Sequence, residues 1–189
     1  MKWTPEGRRA LAYLEWAEAL SDAEPRFLKM PRSRVSCLVF DDEPEDGSRV
    51  ALTYGLSTYA RSGKGNELLL LLASLDDAWL PALMQVANAS RKERCHLQTG
   101  MTESWPVPIS DSSPMTGFVL WEPFSLPEDV PALVPLPGRE VLLWQAVPLH
   151  PIELAWLRAT PEQDRLEAAF ELLRAVGDAL TDPQRPTVR

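Results

Sequence analysis

The sequence predicts a single α+β domain, a mixed, mostly antiparallel sheet of five to six strands with N- and C-terminal helices packed on it. Three observations point there. Short β-branched and apolar segments occupy the middle of the chain, helical periodicity appears toward both ends, and neither a repeat nor a Ser/Gly-rich linker divides the 189 residues. The expected domain spans residues 1–182, with 183–189 as a loose, polar, proline-containing tail.

Thr4-Pro5-Glu6 reads as a helix start, with a threonine cap, proline at the first helical position and an acid in the first turn. Leu11, Leu14, Ala17 and Leu20 follow at helical spacing, and the helix is expected to end near Ser21-Asp22. The stretch from there to Arg32 reads as a packed loop. Two strands come next, around residues 34–40 and 49–54, joined by the acidic loop Asp41-Asp42-Glu43-Pro44-Glu45-Asp46-Gly47-Ser48. The run from Glu67 to Ala73 lacks polar alternation and is short, which favours a strand buried on both faces.

Asp76-Asp77-Ala78-Trp79 opens a helix. A short strand is expected near Leu97, followed by an irregular excursion to Pro114. Residues 116–121 and 140–147 read as strands separated by a proline-rich crossover. A short helix over residues 151–157 and a longer one after Thr160-Pro161-Glu162-Gln163 close the domain. In that last helix Leu166, Phe170, Leu173, Val176 and Leu180 form the expected inward stripe.

Composition excludes several functions. The net charge is −8 and no run of Lys or Arg interrupts it, so a phosphate backbone would be repelled and nucleic-acid binding is not expected. The opening residues are too charged for a secretory signal. The longest apolar run, residues 68–73, is far too short for a bilayer span. The expected location is the cytoplasm, with Cys37 and Cys95 as reduced thiols and no membrane contact.

Catalytic patterns fail on inspection. Gly55-Leu56-Ser57-Thr58-Tyr59 lacks the second glycine of a nucleophile elbow. Around Gly63-Lys64-Gly65 the earlier glycine and the magnesium-binding hydroxyl of a phosphate loop are both missing. Cys95 and His96 are adjacent, but in an extended segment their side chains would point apart, so no metal site is expected. The carboxylate pairs Asp41-Asp42 and Asp76-Asp77 sit in a loop and at a helix cap, with nothing beside them to raise one pKa. No catalytic residue, cofactor or metal is expected, and the function these exclusions leave is protein binding. The acidic loop residues Asp41, Asp42, Glu43, Glu45 and Asp46 are candidates for meeting a basic partner. Trp105, between Ser104 and Pro106 in a polar loop, is the candidate exposed anchor.

Three ordered segments resemble the suppressor-of-fused domain family. The first is Leu52-Thr53-Tyr54-Gly55-Leu56-Ser57, a strand ending in a T-x-G-x-S turn. The second is Gly65-Asn66-Glu67-Leu68-Leu69-Leu70, with Trp79 at the following helix. The third is Val141-Leu142-Leu143-Trp144 running into Val147-Pro148-Leu149, with Glu153-Leu154 beyond. Leu69 and Leu71 depart from the family pattern, which often has polar residues there, and the loop from Gly100 to Ser113 matches nothing in it. The resemblance implies a fold without catalytic chemistry and a structural role for Thr53, Gly55, Ser57, Glu67, Trp79, Pro148 and Glu153. It also implies a protein partner. The animal member sequesters a transcription factor, while small bacterial domains of this type are placed among immunity proteins that neutralise a cognate toxin. The leading expectation is therefore an immunity protein, with a general interaction or scaffold domain second and a small hydrolase third.

Overall fold

The structure is a computed structural model that describes residues 4–21, 23–31, 33–59, 64–93, 97–124, 126 and 131–189. Gly63, Cys95 and His96 lie outside these residues.

Helix α1 (Pro5–Glu18) starts as its sequence dictates, with the Thr4 hydroxyl accepting the Gly7 N–H at 3.1 Å. Strands β1 (Arg26–Lys29), β2 (Ser36–Asp41), β3 (Arg49–Tyr54) and β4 (Lys64–Leu72) form an antiparallel meander. After α2 (Trp79–Glu93) come β5 (Thr102–Ser104), β6 (Gly117–Trp121), β7 (Leu133–Leu136) and β8 (Arg139–Leu149). Helices α3 (Pro151–Ala159) and α4 (Arg165–Val176) follow. The sheet runs β1-β2-β3-β4-β8-β6-β5, with β7 paired to the start of β8. Among the described residues only β4 and β8 pair in parallel, in register from Lys64 with Glu140 to Leu69 with Gln145.

The fold class agrees with the sequence; the sheet is larger than expected. Among the described residues it has eight strands, and the additions are β1 and β7, each of four residues. Strands this short offer too little alternation to read. The β1 edge carries Arg26 and Lys29, charges of the kind that discourage further pairing, and β7 carries Pro135 at a margin where a missing donor is tolerated. The strand expected near Leu97 forms instead at Thr102–Ser104, and Leu97 is buried without being part of a strand.

Strand alternation divides the core by face. Cys37, Val39, Leu68, Leu70, Leu72, Phe118 and Leu120 meet α2 on one side. Leu38, Phe40, Leu52, Leu69, Val141 and Leu143 meet α1 on the other, where β8 continues through Val147 and Leu149 onto α3 and α4. The β4 run is thus buried on both faces, as its unbroken leucines require.

Two helix faces differ from the periodicity reading. Along α1 and just beyond its end, Leu14, Ala17 and Leu20 pack inward as the spacing requires and Tyr13 joins them, while Leu11 is exposed. After Thr160-Pro161 the chain makes a 3-10 turn, Glu162–Asp164, before α4 begins at Arg165. In α4 Ala169, Leu172 and Leu173 point inward while Leu166 and Phe170 lie outside, Phe170 stacked on Trp121. The expectation of a loose tail is also corrected. Within residues 183–189, Pro183 and Arg185 are buried, and the reason is a charge partner described below.

Candidate functional site

The β3–β4 connection places Thr53, Gly55, Ser57 and Glu67 around one carboxylate. Glu67 is 0% exposed and sits where β4 enters the core. Its Oε2 accepts the Thr53 hydroxyl at 2.7 Å, and its Oε1 accepts the backbone N–H groups of Gly55 and Ser57, each at 2.9 Å. The Ser57 side chain adds a further hydrogen bond to this carboxylate, although the sequence suggests that it bonds to local backbone. Thr53 is held in turn, its Oγ1 accepting the Leu68 N–H at 2.7 Å. The motif spacing therefore turns a strand end into a cradle of donors for one acid.

Gly55 makes the cradle possible. Its φ is +113°, and a Cβ there would lie 2.5 Å from the Arg34 carbonyl oxygen. Gly65 has a similar need, since a Cβ on it would stand 2.6 Å from that of Ser57. Two further residues close the site from afar. The Tyr13 hydroxyl donates to the Thr53 carbonyl at 2.8 Å, and Arg139 donates to the Ser57 carbonyl. Tyr13 is the polar member of the buried stripe of α1, the one signal that could have marked it.

Among the described residues every Glu67 hydrogen-bond partner is neutral, and the electrostatics follow from that. Burial pushes its carboxyl from 4.5 up to about 7, against the hydrogen bonds from Ser57, Thr53 and Gly55 that favour the charged form. Burial first, and then the Glu67 charge, push the Tyr13 phenol upward and the Cys37 thiol up to about 12. Cys37 is consequently a buried, unreactive thiol.

The third family segment leads to another buried acid. Glu153, in the first turn of α3, is 0% exposed and accepts the His150 backbone N–H at 3.0 Å. Its two oxygens receive the two terminal nitrogens of Arg185 at 2.7 Å each. Arg185 also donates to the carbonyl of Pro148 at 3.3 Å, and His150 Nε2 lies 2.8 Å from the Arg185 carbonyl. Burial raises the Glu153 carboxyl, but the Arg185 and His150 hydrogen bonds outweigh it, and the net direction is downward. Arg185 is absent from the expected site residues. The available signal is an arginine between Pro183 and Pro186, which stiffen an extended segment around it.

The remaining candidates lie apart from both acids. Trp79 is wholly buried against Phe118, with ring centroids 5.9 Å apart. Trp105 is half-buried: its indole donates to Gln85 at 3.0 Å and its ring meets Phe118 edge-on at 5.6 Å, so it packs onto α2 and the core. In the acidic loop Asp41 is held by Arg26 and Arg49, at 3.0 and 2.6 Å. Asp42 Oδ1 accepts the Gly47 N–H, and Glu43 accepts the Ser21 hydroxyl. Glu45 and Asp46 are exposed at the loop tip. Among the described residues no group of three or more His, Cys, Asp or Glu could hold a metal ion, and no helix is long and apolar enough to cross a membrane.

A family profile described as Suppressor of fused protein (SUFU) matches residues 31–186, and the chain belongs to that family. No curated protein sequence matches it significantly. Among solved structures, it is similar to a SUFU homolog from Neisseria gonorrhoeae FA 1090, with a TM-score of 0.72 at 17% identity, covering 95% of this chain and 96% of that one. A chain of the crystal structure of a Sufu–Fu complex matches with a TM-score of 0.69 at 11% identity, over 96% of this chain and 92% of that one. Drosophila Suppressor of Fused matches with a TM-score of 0.70 at 13% identity; 96% of this chain is covered but 51% of the fly protein. At these identities the likeness is one of fold.

Proposed function

We propose that this member of the suppressor of fused family is a protein-binding module without catalytic chemistry, and that its partner is a toxin which it neutralises as an immunity protein. The observation that carries the reading is the family match over residues 31–186, joined to a fold shared with a chain crystallised in a Sufu–Fu complex.

The site geometry supports the absence of chemistry. A general acid or base must reach a substrate proton. Glu67 is sealed under donors from its own turn, and Glu153 is clamped by Arg185 with the His150 imidazole turned to a backbone carbonyl. On this reading the protein works in the cytoplasm, and the exposed carboxylates at the tip of the acidic loop speed its encounter with a basic partner.

Co-expression with the product of the neighbouring gene, followed by affinity capture and a growth assay, tests the proposal. A stable complex that relieves toxicity is expected. A neighbouring product that is not toxic, or is toxic and neither bound nor relieved, refutes the immunity role.

A further inference from the structure

Residues 182–189 lie on the body without a helix or strand of their own. They are held by side chains and carbonyls: Ser113 donates to the Pro183 carbonyl, His150 Nε2 meets the Arg185 carbonyl, and Glu153 Oε1 accepts the Val188 N–H at 3.3 Å. Arg185 is the deeply seated charge, 2% exposed, while Gln184, Pro186, Thr187 and Arg189 face outward. The Arg189 guanidinium sits 3.9 Å over the Trp156 ring, one turn of α3 beyond the Glu153 socket.

Everything that builds the socket belongs to the body: the Pro148 carbonyl at the end of β8, the His150 N–H that fixes the carboxylate, Glu153 itself, and Trp156. The segment supplies the guests, two arginines four residues apart, together with the Val188 N–H that reaches the same carboxylate. The fork-on-fork geometry, with both Glu153 oxygens met at 2.7 Å, suits a planar guanidinium and not an ammonium. Simple release is disfavoured because it would strand a buried carboxylate, whereas exchange of one guanidinium for another would not.

We propose that the Glu153 socket is an arginine-recognition site, and that residues 182–189 are its built-in occupant, replaceable by an arginine-bearing extended segment of a protein partner. The inference rests on the protein-binding reading for its purpose but not for its test. The tethered segment competes at an effective concentration of roughly millimolar order, so it screens out weak arginine peptides and yields to a tighter one.

The test uses the full chain and a fluorescent octapeptide with the sequence of residues 182–189, followed by anisotropy. The Arg185→Ala protein should bind this peptide at least tenfold more tightly than the unsubstituted protein does. Adding Glu153→Gln, or replacing the first arginine of the peptide with lysine, should weaken binding at least tenfold. A folded Arg185→Ala protein that binds no better than the parent, or that accepts the lysine peptide equally, overturns the proposal. Should Arg185→Ala not fold, hydrogen exchange on the unsubstituted chain decides. The Arg185 and Val188 amides should exchange by local opening, at least tenfold faster than the amides of Val147 and Leu149 in β8. Exchange only at the global unfolding rate overturns it. Failure to capture a partner from the neighbouring gene leaves these outcomes intact, so the two proposals fail separately.

Discussion

Replacing Glu67 with glutamine isolates what a buried acid among neutral donors does to stability. Its carboxyl is raised from 4.5 to about 7, so the folded chain holds this proton more tightly than the unfolded chain does. The sign follows from linkage: stability is greatest below the unfolded value and falls as pH rises toward the folded one. At ~1.4 kcal/mol for each pH unit between the two values, the full loss is about 3 kcal/mol, complete above neutrality. Glu67→Gln keeps an acceptor for Gly55 and Ser57 but puts an amide against the Thr53 hydroxyl, a constant cost of about 1 kcal/mol. Urea unfolding of both proteins from pH 4 to 8 supplies the difference curve. Parent minus variant should fall by about 3 kcal/mol across that range, which makes the variant the more stable protein at pH 8. A flat difference, or one that rises with pH, would show that the four donors outweigh burial and would refute the reasoning. Glu67→Leu is the contrasting control: it strands the Thr53, Gly55 and Ser57 donors and should cost ~4 kcal/mol or more, assessed at pH 8.

Gly55→Ala should destabilise by about 2–4 kcal/mol in the same assay, because a positive φ and a close approach to the Arg34 carbonyl act together. Glu153→Ala leaves Arg185 buried without its counter-charge and should cost ~3–5 kcal/mol, with new protease sensitivity confined to residues 182–189. Replacing Glu45 and Asp46 by glutamine and asparagine should slow association with the partner and flatten its salt dependence, read by stopped flow, while the melting temperature stays put. The same change at Asp41 should lower the melting temperature, because Asp41 holds Arg26 and Arg49.

The parts of this molecule that could be read from sequence are those whose partners lie nearby along the chain or whose pattern is long enough to repeat. The five leucines after Glu67 announced a strand buried on both faces. The T-x-G-x-S spacing marked a turn that needs a glycine, although not that the turn exists to hold an acid. Tyr13 and Arg185 were not legible, because Tyr13 meets its acceptor 40 residues away and Arg185 meets its carboxylate 32 residues away. A polar, proline-flanked segment reads as loose when its one buried contact is a charge that composition counts as a reason for exposure. The inward face of α4 was misplaced because Leu166, Ala169, Phe170, Leu172, Leu173 and Val176 make a wide apolar arc, and periodicity alone does not say which part of that arc meets the core. Trp105 shows the limit of reading loops, since its polar neighbours suggested exposure while its ring meets Phe118 on the adjacent strand β6.

Among the described residues two glutamates are buried, and the fold treats them oppositely, which sets an expectation for the pH dependence of stability. Glu153 faces a guanidinium, so its carboxyl is lowered, and its contribution is present above the ordinary glutamate range and lost as pH falls below it. Glu67 faces only neutral donors, so its contribution is fullest at acid pH and declines from 4.5 to about 7. One acid therefore limits the fold from the acid side and the other from the neutral side, and the product is a stability maximum between them, below neutrality. Glu67→Gln should carry the maximum toward neutral pH by removing the upper limb. Glu153→Gln should make the acid limb shallower while lowering the whole curve, the lowered carboxyls of Asp41 and Asp76 supplying the rest of that limb. Calorimetric melting from pH 3.5 to 8.5 distinguishes these outcomes. A maximum that stays in place in Glu67→Gln would mean that other groups set the pH response and that the cradle holds its acid charged throughout.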